Sequence, residues 1–204
     1  MTPPNPQGFT VWFTGLPCAG KTSLASALFR KLKVIRISAT CLDGDVLRKT
    51  LSKDLGFSKK DRETHVLRVA AAASRLTQNG VVTLVSLISP YRKTRLRARR
   101  MIGDFVEVYV RCPLKVCEKR DVKGHYKLAR QGQLRHFTGV SDPYEEPRTP
   151  EVTLRTDETD LDYCARRVMN YLENSGWIPS PCKHRPLCRR PARKLRSQNL
   201  FPNV

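Results

Sequence analysis

Short apolar runs alternate along the chain with longer stretches in which apolar residues recur every three or four positions. FTVWFT (9–14) reads as a strand, and 22–32 reads as a helix because Leu24, Leu28 and Leu32 share one face. VIRISATCLDGD (34–45) contains a second strand ending near Leu42, and VLRVAAAASRLTQNG (66–80) is a helix stopped by Asn79 and Gly80. VVTLVSLIS (81–89) is almost continuously apolar, as expected of a strand buried on both faces. DFVEVYVRCP (104–113) and EVTLRT (151–156) complete about five strands separated by helical patterns. This alternation predicts an α/β fold, a five-stranded parallel sheet with helices on both faces.

Residues 119–150 depart from the rhythm. They are basic, contain Gly124, Gly132 and Gly139, and carry no strand pattern, so they read either as a mobile basic lid over an active site or as a plain surface excursion. From 179 to 204 the chain is Pro- and Arg-rich with seven Lys or Arg and no acid, which reads as a disordered tail appended to a single domain over 1–178.

Charge sharpens this picture. The formal net charge of +20 favours a polyanionic partner: a nucleic acid, an anionic membrane surface or a substrate rich in phosphate or sulfate. No segment is long and apolar enough to span a bilayer, and MTPPNPQG lacks the features of a secretion signal. Seven scattered cysteines, an odd number, fit reduced thiols, so the chain reads as cytoplasmic. Cys182, His184 and Cys188 resemble metal ligands only superficially, since the spacing is non-standard and a partner pair is missing. The run YRKTRLRARR (91–100) has helical spacing right after a strand and reads as a solvated helix face with Arg92 nearest the site, while CPLKVC (112–117) reads as packing.

The chemistry begins at GLPCAGKTS. Gly15, Leu16, Pro17, Cys18, Ala19, Gly20, Lys21 and Thr22 match G-x-x-x-x-G-K-[ST], between a strand and a helix as that motif requires, and Ser23 follows. Small residues let the backbone wrap a phosphate, whose charge is met by N–H groups and the positive end of the next helix. Pro17 has no N–H, so the donors start at Cys18 and Ala19. Lys21 is expected to reach the β- and γ-phosphates of ATP, and the Thr22 hydroxyl to ligate Mg²⁺. Asp43 and Asp45 sit at the carboxyl end of a predicted parallel strand, where α/β folds place ligands. They suit either metal binding or acceptance of a proton from an attacking hydroxyl, although Asp-Gly-Asp is also common turn chemistry.

GLPCAGKT, LDGD, LGFSKKDR, ISPYR, KRDVKGHY and FTGVSDPYE, in that order, resemble the adenylylsulfate kinase family from about Phe9 to Trp177. The resemblance implies a P-loop kinase fold, a homodimer, and transfer of the γ-phosphoryl of ATP, with Mg²⁺, to the 3′-hydroxyl of adenosine 5′-phosphosulfate. It implies further that Asp43 and Asp45 match the family's Asp-Gly-Asp, with Asp45 nearest the acceptor hydroxyl. Arg48 and Arg62 match its substrate-binding arginines, and Phe57 and Phe137 the pair that sandwiches the substrate adenine. Ile88 and Ser89 fall in the ISPY match, where family descriptions make the serine a phosphoserine intermediate. Chemistry argues otherwise for Ser89: P-loop kinases need only position an in-line transfer, and no base is visible near it in the sequence, so it is expected to touch substrate from the strand end. Lys123, in the lid, is placed to bring its charge to the transferring phosphate or the sulfate.

The pattern breaks at 64–68. Thr64, His65 and Leu67 stand where the family usually has a glutamate, an asparagine and an arginine; His65 can still hydrogen-bond substrate, whereas Leu67 cannot contact an anion. Val122 and His125 replace a proline and a leucine in the lid. These changes keep a second enzyme reading open, a relative acting on another nucleotide-linked acceptor. The basic charge motivates a third, an inactive kinase fold that binds nucleic acid, which is disfavoured because Lys21, Thr22, Asp43 and Asp45 are all present.

Overall fold

The computed structural model describes residues 8–180. Five strands, β1 (Thr10–Thr14), β2 (Ala39–Asp43), β3 (Val82–Ser86), β4 (Phe105–Arg111) and β5 (Val152–Arg155), form one parallel sheet in the order β2-β3-β1-β4-β5. The helices are α1 (Lys21–Val34), α2 (Gly44–Lys49), α3 (Lys59–Gln78), α4 (Arg92–Ile102), α5 (Leu114–Arg120), α6 (His125–Arg130) and α7 (Leu161–Asn174).

Strand alternation divides the core in two. Val11, Phe13, Val106, Val108 and Val110 point to the face packed by Leu24, Leu28 and Leu32 of α1 and Val168 and Leu172 of α7. Trp12, Val85 and Phe105 point to the other face, under Val66, Val69 and Ala73 of α3 and Ala98 and Ile102 of α4. All-parallel sheets are stable only when both faces are covered, which explains why β1 and β3 are buried at every position.

Helix α3 starts at Lys59, well before the apolar periodicity begins. The Ser58 hydroxyl accepts from the Asp61 N–H at 3.2 Å and donates to its carboxylate at 2.7 Å, capping two polar turns that the hydrophobic pattern does not show. The region 119–150 contains no strand, as expected, but holds α6 and an isolated bridge between Thr138 and Asp142. The α4 face is only partly solvated: Arg95 is 3% exposed and donates to Glu107, Ser89 O and Glu145 O at 2.8, 2.6 and 2.7 Å. Cys112 and Cys117 are buried, in keeping with packing. Ile178 and Trp177 close the core against Phe9; the tail from 181 and its Cys182, His184 and Cys188 lie outside the described residues. Among the described residues no helix is long and apolar enough to cross a membrane.

Candidate active site

The turn after β1 meets the turns after β2 and β3 at the carboxyl edge of the sheet, where the strand order reverses between β1 and β3. Gly15 is needed there because a Cβ would lie 2.4 Å from the Val110 carbonyl oxygen, and Gly20 opens α1 at φ 96°, in the left-handed region. Cys18 adopts φ 58° without glycine's freedom. Lys21 folds back over the loop, donating to Gly15 O at 3.0 Å and Leu16 O at 2.6 Å. Burial pushes its pKa down to about 8, against the opposing pull of neighbouring thiols and of Asp45 and Asp43. The loop is propped from behind: the Thr156 hydroxyl donates to Ala19 O at 2.9 Å, Arg120 holds Thr156 O at 2.6 Å, and the Tyr126 hydroxyl from α6 donates to Pro17 O at 3.1 Å.

Asp43 joins the strand ends. Its Oδ2 accepts from the Thr22 hydroxyl at 2.7 Å and from the Ser86 hydroxyl at 2.9 Å, and its Oδ1 caps α2 through the N–H groups of Asp45 and Val46 at 2.9 and 3.4 Å. Burial raises its pKa, but these four bonds together outweigh burial and hold the carboxyl below its ordinary value. It is therefore an anion beside Thr22. Asp45 leaves the turn toward solvent and pairs with Lys123, which arrives from the region 119–150; that hydrogen bond raises the Lys123 pKa.

A second group gathers around Phe57. The Arg48 and Arg62 guanidinium carbons lie 4.9 and 5.5 Å from its ring centroid. Arg48 donates to Gly56 O at 2.6 Å, and Arg62 donates to Phe57 O at 3.0 Å and also to His136 O. Arg62 thus ties the segment before α3 to the one carrying Phe137. Phe57 is 54% exposed, whereas Phe137 is 8% exposed and packs edge-on against Tyr126.

Two expected contacts are not set up here. Ser89 is 2% exposed at φ 39°, and its hydroxyl accepts from the Trp12 indole N–H at 3.1 Å and donates to Thr14 Oγ1 at 3.0 Å, so it faces the core and not the cleft. Thr14 in turn donates to Ile88 O at 2.8 Å. His65 is 4% exposed and bonds Ser52 through Nδ1 at 2.9 Å. Of the other departures, Thr64 turns its hydroxyl to Lys60 O in its own helix at 2.9 Å. Arg92 is spent on the loop before β5, with its N–H on Glu145 and its guanidinium on Glu146 O.

Ser86, Tyr126, Thr156 and Arg120 escaped sequence reasoning, because each acts through register or through contact between distant segments. Only Glu107, an acid inside an apolar strand, gave a visible signal: it and Glu151 hold Arg95 and Arg99. A cavity of about 760 Å³ opens beside Leu16, lined by Tyr109, Arg111, Tyr144 and Asp157 among others, and none of Asp43, Asp45, Arg48, Phe57 or Arg62 lines it.

A P-loop facing two aspartates and a lysine from the region 119–150 is a kinase arrangement, and comparison with known proteins gives the family. The family model for adenylylsulphate kinase matches residues 7–155. The chain belongs to the adenylylsulfate kinase family. It is similar to the adenylyl-sulfate kinase of Halothermothrix orenii, 51% identical over 177 residues covering 87% of this chain and 96% of that one. The corresponding figures for a Synechococcus adenylyl-sulfate kinase are 50% over 172 residues, 84% and 98%. Among solved structures, the Mycobacterium tuberculosis APS kinase in complex with AMPPNP and APS superposes with a TM-score of 0.80 at 44% identity, covering 82% of this chain and 99% of that one. A Sinorhizobium meliloti gluconokinase, at 20% identity and a TM-score of 0.54, shares the fold alone.

Proposed function

We propose that this cleft transfers the γ-phosphoryl group of ATP to the 3′-hydroxyl of adenosine 5′-phosphosulfate, giving 3′-phosphoadenosine 5′-phosphosulfate. The observation that carries the assignment of roles is the Asp43-Gly44-Asp45 turn, which joins Thr22 and Ser86 through Asp43 to Lys123 through Asp45. The loop 15–22 binds the phosphates of ATP, and Lys21, withdrawn from water, exchanges its bonds to Gly15 O and Leu16 O for phosphate oxygens as charge develops on them. Asp45 receives the proton of the attacking 3′-hydroxyl once substrate displaces Lys123. That exposed ion pair is weak enough to be exchanged, and Lys123 is then free to neutralise the transferring group.

The all-oxygen donor set at Thr22 and Asp43 fits Mg²⁺, with the hydroxyl as ligand and Asp43 holding the ion directly or through water. When bound, the ion would neutralise phosphate charge during the transfer. Arg48 and Arg62 supply planar donor forks for the sulfate and phosphate oxygens, and Phe57 and Phe137 supply the faces for the adenine. Ser89 takes no covalent part; its hydroxyl holds the strand-end turn to Trp12 and Thr14.

Steady-state rates with adenosine 5′-phosphosulfate and with other adenine nucleotides as acceptor test the substrate. A preference for adenosine 5′-phosphosulfate is expected, and a better acceptor without the sulfate contradicts the proposal. The homodimer belongs to the same reading: light scattering should give twice the chain mass of 23.3 kDa, whereas a particle like the hexameric APS kinase described for Thiobacillus denitrificans would replace it.

A further inference from the structure

His65, expected from the sequence to touch substrate, has surroundings that differ from those of a substrate contact. The imidazole is buried on α3, with Nδ1 on the Ser52 hydroxyl, itself 1% exposed, and with Nε2 buried and lacking a hydrogen-bond partner among the described residues. Ser52 lies in the connection from α2 to α3, the segment that ends in Phe57. Three arginines hold that connection: Arg48 takes Gly56 O, Arg62 takes Phe57 O, and Arg68 takes Leu51 O at 3.1 Å and both carboxylate oxygens of Asp54. The His65 bond is the tie on the first half of the connection, two residues before Asp54.

We propose that His65 is a positioning residue for the acceptor side: by holding Ser52 it fixes the connection that presents Phe57 beside the Arg48 and Arg62 guanidiniums. The role requires a neutral ring. Burial pushes the His65 pKa down to about 4, and the charges of Arg48 on α2 and of Arg68 and Arg62 on α3 push the same way, while Asp45 opposes them. A protonated ring would add a fourth cation to this cluster. An unpaired Nε2 lone pair is tolerable there because the surrounding guanidiniums favour it over a second N–H, which makes Nδ1 the protonated nitrogen and the Ser52 hydroxyl its acceptor.

The inference rests on the acceptor assignment above, so its test includes readouts that do not depend on turnover. His65→Leu is expected to raise KM for adenosine 5′-phosphosulfate about tenfold, the worth of one lost buried hydrogen bond, with KM for MgATP and kcat within about twofold. His65→Asn, which can still reach Ser52, should return the acceptor KM to within about threefold of wild type. Ser52→Ala should copy His65→Leu, and the double variant should be no worse than either single. In the ligand-free protein, ¹³C-detected NMR of the histidine rings should show the resonance missing from His65→Asn remaining neutral at pH values well below 6. Equal effects of Leu and Asn, equal rises in both KM values, additive single variants, or a ring titrating at its ordinary pKa would each overturn the proposal. Should His65→Leu fail to fold, Ser52→Ala and the NMR titration decide it.

Discussion

Glu107→Gln tests whether the wall of the cleft depends on a buried charge pair. Arg95 is 3% exposed and Glu107 11% exposed by side chain, with Nε and Oε1 2.8 Å apart. Arg99 stands 3.6 Å from the other carboxylate oxygen but has its own partner in Glu151, at 2.7 Å. Removing one member of a buried pair costs about 3–5 kcal/mol, because the remaining charge is left without its counterion. Arg95 would still donate to Ser89 O and Glu145 O, which places the expectation at the lower end, about 3 kcal/mol. With a urea slope of about 2 kcal/mol/M, the unfolding midpoint should fall by about 1.5 M. Circular dichroism during urea titration at neutral pH reads it directly. The same Arg95 holds the Ser89 turn and the loop at Glu145, so kcat should fall along with stability. A midpoint shift below about 0.3 M would mean that Arg95 does not depend on its carboxylate.

Three further outcomes follow from the geometry. Ser89→Ala should keep kcat within about threefold while lowering stability by about 1–2 kcal/mol, for the two buried hydrogen bonds it breaks; abolished turnover in a folded variant would instead favour the phosphoserine intermediate. Thr22→Val, measured across a Mg²⁺ titration, should lower kcat by about 100-fold or more, and near-normal turnover would remove Thr22 from the metal site. Lys123→Met should lower kcat by about 100-fold without moving the urea midpoint, because its ion pair with Asp45 is exposed; a clear loss of stability would mean that the pair is structural.

Strands β1 and β3 were legible because parallel strands buried on both faces leave nearly unbroken apolar runs, and α1 because its leucines repeat on one face. The start of α3 was not, since its first turns are polar and its signal lies in the Ser58 and Asp61 cap. Likewise YRKTRLRARR looked like a solvated face because helical spacing says nothing of which basic residue meets an acid from another strand; Arg95 does, at Glu107. In the site, local motifs carried Lys21, Thr22, Asp43 and Asp45. Ser86 became visible only through register, opposite Asp43 across β2 and β3. Ser89 and His65 show what a motif leaves out, depth: each is buried and turns its polar atoms into the protein.

The decisive experiment mixes the purified protein with MgATP and adenosine 5′-phosphosulfate and locates the transferred phosphate by ³¹P NMR, with Lys21→Ala alongside. A new monoester should appear at the ribose 3′ position with the wild type and be absent with Lys21→Ala. Folded wild-type protein that binds ATP yet leaves the 3′-hydroxyl unmodified would contradict the proposed transfer.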